Sequence, residues 1–165
     1  MTRATTVLVA AAAAVLAAVL VLILVSRSGP AHVRRPAAAH VADVQVAHNR
    51  LGRILVDRRG RTLYLFATDR HGRSACAGGC ARVWPPLTVL GAPLGGEGVS
   101  AAKLTTTLRA DHRRQVVYDG HPLYTMSADT RPGQTAGQGF LGAWFVVSPS
   151  GRQIGRGHAS AEGGY

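Results

Sequence analysis

Cys76 and Cys80 enclose Ala-Gly-Gly and are the only cysteines in 165 residues. Two thiols this close, with glycines that permit a tight backbone, suit either a disulfide or a pair of thiolates holding a soft metal such as copper. In the second case His71, five positions before Cys76, would supply a nitrogen ligand. Two cysteines in an exported domain are read first as a disulfide, and a loop this short contributes about 2 kcal/mol by chain entropy. The alternative is a thiol-disulfide or copper-binding redox pair. The spacing is not that of covalent haem attachment, a four-ligand zinc set is missing, and no strand runs directly into Cys76 as in thioredoxin-like sites.

Tyr64 with Asp69, and Tyr124 with Asp129, raise a second chemistry, a phenol and a carboxylate acting as acid and base. Strand geometry argues for a structural duty. Tyr64 and Phe66 share one face of an extended run, and Asp69 falls at its end, where a carboxylate accepts hydrogen bonds from turn amides. An active site also seldom needs two copies, whereas a folding motif does. Ser148 and Ser150 lack a nucleophile elbow, the Gly-rich stretches lack the Lys-Ser/Thr end of a phosphate loop, and DTRPGQTAGQG has one carboxylate, too few for calcium. The expectation is therefore no enzyme, no catalytic residue and no cofactor, with copper at His71, Cys76 and Cys80 as the alternative.

The elements that position these residues come from a duplication. An ungapped shift of sixty superposes Arg53 on Arg113, Val56 on Val116, Gly60 on Gly120, Leu63 on Leu123, Tyr64 on Tyr124, Asp69 on Asp129, Gly79 on Gly139 and Trp84 on Trp144. Met126 stands where the first copy has Phe66, and Ala136 and Phe140 stand where it has the cysteines. RILVDRRGRTLYLF reads as a hairpin of Ile54–Val56 and Thr62–Phe66 about Gly60, and QVVYDGHPLYTM as another about Asp119-Gly120. A third strand is expected after each Trp. Ala101–Leu108 is ambiguous, since AAKL suits helix and TTTL suits strand. The fold class is mainly β: one small domain at 44–154 built of two similar hairpin-containing repeats, about 46–92 and 104–149, that pack together because neither has enough core alone.

These motifs in order, Tyr64-Leu-Phe66-Ala-Thr-Asp69, Cys76, Cys80 and Trp84-Pro-Pro, then Tyr124-Thr-Met126-Ser-Ala-Asp129 and Trp144, resemble the bacterial secreted-repeat lipoproteins with a Tyr-x-aromatic-x-x-Asp motif. The resemblance spans Val46 to Pro149. It implies an extracytoplasmic cell-envelope protein and brings no activity, because the family's role is undefined. The chain departs from it at Met126 and in having no lipobox cysteine.

Residues 5–25 carry no charge, Gly or Pro, and as a helix they span about 31 Å, the thickness of a bilayer's hydrocarbon core. The run is longer than the apolar region of a cleaved signal, and the small-residue stretch Ala37–Ala39 lies well beyond it, so an uncleaved single-pass anchor is expected and secretion after cleavage is the alternative. Residues 1–4 would then be cytoplasmic, 26–43 a flexible linker and 155–165 a disordered tail. A domain of this length after one span is expected outside the cytoplasm.

The net charge is +11, with 18 of 19 basic residues Arg. Without Arg3, 18 basic against 8 acidic residues leave +10 on the exported side. Candidate partners, besides the membrane itself, are anionic lipid or cell-wall polymer. Nucleic acid is not expected there and no recognised nucleic-acid module is present. Arg-rich composition from codon bias is the competing account of the charge.

Overall fold

The computed structural model describes residues 42–155. The expected anchor and all but the last two residues of the linker lie outside them, as does the tail beyond Gly155. Among the described residues no helix is long and apolar enough to cross a membrane.

The chain is mainly β. In order come β1 (Val44–Asn49), β2 (Gly52–Asp57), β3 (Tyr64–Phe66), a one-turn helix α1 (Gly79–Val83), β4 (Thr88–Val89), β5 (Leu104–Leu108), β6 (Arg114–Tyr118), β7 (His121–Pro122) and β8 (Trp144–Val146). The ambiguous 101–108 segment is both things in turn: AAK makes a 3-10 turn at Ala101–Lys103, and the β-branched TTT run continues as β5. Antiparallel hairpins β1–β2 and β5–β6 open the two repeats.

The expected three-stranded halves do not form as separate units, because each repeat gives its last strand to the other. β8 of the second repeat pairs with β3 of the first, and β4 of the first pairs with β6 of the second. The bonds are related by an approximate two-fold axis through the Tyr64–Tyr124 bridge, where each amide donates to the other's carbonyl at 2.8 and 3.0 Å. Leu55 N–H donates to Val147 O as Val116 N–H does to Leu87 O, and Leu63 N–H to Leu55 O as Leu123 N–H does to Val116 O.

Those equivalences correct the ungapped shift. Leu55 corresponds to Val116, so Arg53 matches Arg114 and Val56 matches Val117, one place beyond the sixty-residue offset that holds for β1 and β5. The second repeat has one residue more between its first two strands (Ala110–His112 against Arg50–Leu51) and one fewer in the next turn. Arg113-Arg114 and Val116-Val117 are doublets, so the slip leaves the identity count unchanged and invisible.

Both faces of the central strands are buried. One core is aromatic, centred on Tyr64, Trp84, Tyr124 and Trp144, and the other aliphatic, centred on Leu55, Leu63, Val116 and Leu123. Each draws on both repeats. At the first turn, buried Asp57 accepts the Arg59 and Arg61 amides, both at 2.9 Å, and pairs with the Arg61 side chain at 2.7 Å.

Candidate functional site

The Tyr-x-aromatic-x-x-Asp motifs are wired across the two-fold axis. Tyr64 donates its phenolic hydrogen to Asp129 Oδ2 at 2.5 Å, and Tyr124 donates to Asp69 Oδ2 at 2.8 Å. Each tyrosine is thus paired with the carboxylate of the other repeat. The second carboxylate oxygens hold the following loops, Asp69 Oδ1 accepting from Ala75 N–H at 2.7 Å and Asp129 Oδ1 from Ala136 N–H at 3.0 Å. Strand exchange causes this crossing, because it sets β3 antiparallel to Leu123–Thr125 and sends each turn aspartate over the opposite tyrosine.

Between these pairs lies an aromatic stack. Trp84 and Trp144 are parallel, ring centroids 3.9 Å apart, and Tyr64 and Tyr124 abut them edge-on at 5.3 and 5.1 Å. Phe66 also stacks on Trp144, at 4.2 Å. Met126 occupies the Phe66 position of the second repeat, and its sulfur lies beside Gly137 together with Trp84. A Cβ on Gly137 would stand 2.5 Å from Trp84 Cη2 and 2.9 Å from Met126 Sδ. Gly137→Ala is therefore expected to cost about 1–3 kcal/mol by overpacking, read as a lowered Tm in thermal unfolding; an unchanged Tm would mean the rings are not seated this closely.

The electrostatics oppose acid-base exchange in these pairs at neutral pH. Burial first, then the adjoining carboxylate, pushes Tyr64 far above the ordinary tyrosine range, while the Gly137 amide pulls the other way. Tyr124 is raised by burial and by Asp69, against the Ser74 hydroxyl. Burial also raises Asp69, opposed by the Ala75 amide, the Tyr124 hydroxyl, Arg109 and His121. Raised phenol values mean that above about pH 10 the unfolded chain loses protons the folded one keeps, so stability falls as pH rises. Absorbance titration should show Tyr64 and Tyr124, identified by Tyr→Phe variants, ionising only as the domain unfolds; free titration in the folded domain would contradict the crossed pairs.

Cys76 and Cys80 form a disulfide, with Cys76 buried. His71 is exposed at a left-handed position in the Arg70–Arg73 turn. Among the described residues no three His, Cys, Asp or Glu side chains gather into a set that could hold a metal, His71, Cys76 and Cys80 included.

One buried group carried no sequence signal. The side chain of Arg109 is only 7% exposed, and its guanidinium donates to Gln115 Oε1 at 2.6 Å and to Ser74 Oγ and Cys76 O at 2.8 Å. Gln115 is itself fully buried and bonds Leu123 O. Ser74 Oγ lies 2.7 Å from the Tyr124 hydroxyl, so one chain of bonds runs from Asp69 to Gln115 beside the disulfide. Arg109 lies where the first repeat has Asn49, a position no motif marks.

A family model described as a secreted repeat of unknown function matches residues 45–88 and 105–148, more than half of the chain. No curated protein and no solved structure matches it.

Proposed function

Because this chain belongs to the family of secreted repeats of unknown function, we propose that it is an extracytoplasmic envelope protein, held at the membrane by its apolar N-terminal segment, whose duplicated β domain acts by binding. The crossing of the Tyr-Asp pairs carries this reading. Both motif tyrosines and both motif aspartates are spent on joining the repeats and holding their loops, which leaves the surface as the place of action. Excess Arg on that surface favours anionic envelope components, lipid headgroups or wall polymer, over neutral ones.

Four measurements test it. Protease added to intact cells should degrade the domain, and the undigested chain should fractionate with the membrane. Mature protein beginning near His40 would overturn the anchor in favour of secretion after cleavage. Stoichiometric Cu(I) uptake by the reduced protein, lost in Cys76→Ser, would overturn action by binding alone in favour of a copper or thiol redox role.

A further inference from the structure

The duplicated fold contains its own control for the meaning of the arginines. At two-fold related places lie two clefts, one of about 440 Å³ beside Asn49 and Gly133 and one of about 550 Å³ beside Arg109 and Arg73. Asn49 and Arg109 are equivalent, as are Ala136 and Ala75, whose amides donate to the motif aspartates. The first cleft has a single arginine, Arg50, and no acidic residue in its lining. The second is lined by Arg73, Arg82, Arg109 and Arg113 against one carboxylate, Asp111. The second cleft is the larger, and it carries a net positive charge of three against one in the first.

Two of the departures from the internal symmetry also meet at the second cleft. The disulfide, found in the first repeat only, contributes Cys76 to its lining, and the loop that carries the additional residue, Ala110–His112, contributes Ala110 and Asp111. The charge there is incompletely compensated. Arg109 is over nine-tenths buried and bonds three neutral acceptors, its Nε has no hydrogen-bond partner, and Asp111 lies 3.9 Å away. Asp111 is already taken by Arg113 at 2.7 Å. Asp69 acts on Arg109 from behind Ser74 but does not line the cleft. Among the described residues neither Arg73 nor Arg82 has a carboxylate partner. Four arginines line one concavity, one held inside by three hydrogen bonds and one paired with Asp111, and the positive charge left over favours an oxyanion there.

The geometry points to this cleft as a binding site for a phosphate-class oxyanion, contacted by Arg73, Arg82 and Arg113, with Arg109 as the fixed charge behind them. The assignment rests on action by binding but not on membrane attachment, so a released chain would still carry the site. Its source is either a soluble phosphate ester or a phospholipid headgroup.

The full chain in neutral detergent is titrated with inorganic phosphate and glycerol phosphate by calorimetry, and in neutral vesicles with and without phosphatidylglycerol by co-sedimentation. Arg73→Gln/Arg82→Gln should weaken binding about tenfold or more. Arg58→Gln/Arg59→Gln removes the same charge from exposed turn residues outside the cleft, and should change it less than about twofold. Glycerol phosphate binding with this pattern identifies a soluble ester; the same pattern on phosphatidylglycerol vesicles alone identifies a headgroup. Equal loss in the two double variants, or no binding to any probe, would overturn the site. Unchanged near-ultraviolet dichroism in both variants shows that folding is not what was lost.

Discussion

Cutting the chain between Glu97 and Gly98 should leave two pieces, 42–97 and 98–155, that are each unfolded alone and fold on mixing as a one-to-one complex. The cut lies in an exposed turn between the repeats. It leaves β3 without β8 and β6 without β4, because those partners belong to the other piece. It also divides both cores and both Tyr-Asp pairs. Each piece has fewer than 60 residues, a size at which burial barely offsets chain entropy even when every strand is present. Circular dichroism of the separate and mixed pieces checks this. A piece that is folded and monomeric alone would show that strand exchange is not needed for stability.

The second large effect concerns the two aspartates, which occupy equivalent places in unequal surroundings. Asp129 is 4% exposed and serves Tyr64 and the Ala136 amide, so Asp129→Asn turns an amino group toward one of two buried donors. A cost of about 2–3 kcal/mol is expected, lowering Tm by about 10–15 °C in a domain of this size. Asp69 is less deeply buried, and Asp69→Asn should cost about 1 kcal/mol, since water can take up the unpaired donor. The two also differ in pH dependence. The folded-state value of Asp69 is raised, so the stability it contributes is full below the ordinary carboxylate range and is lost as pH rises through the raised value. The cost of Asp69→Asn should therefore shrink as pH rises across that window. Denaturant unfolding of both variants at several pH values measures it, and a cost for Asp69→Asn that grows with pH would reverse the assigned sign.

Much of this architecture was legible one repeat at a time. Gly60 and Asp119-Gly120 mark turns because only positive φ closes them, and the three glycine and aspartate positions named here all have it. The β-prone runs around them are strands. The partner of each strand was not legible: Tyr64-Leu65-Phe66 carries the same pattern whether it closes a hairpin with β2 or crosses to β8. That choice is made by contacts some eighty residues apart, which local propensity does not contain. β1 has a weak sequence signal because VQVAHN holds only two β-branched residues, and α1 because its glycine-rich start is a poor helix former. Nothing in the sequence sets Arg109 apart from the other arginines. Its burial depends on Gln115 entering a strand position that holds Ile54 in the first repeat, and on Ser74 and Cys76 O arriving from a distant loop.

Both tryptophans of the chain lie in a single parallel contact between the repeats. Indoles stacked this closely share their electronic excitation, so the pair should give a coupled circular-dichroism band that neither ring produces alone. With no third tryptophan to add background, that band is an unlabelled optical reporter of whether the two halves are docked. It can be followed in the purified protein during unfolding, or while a ligand binds elsewhere on the surface.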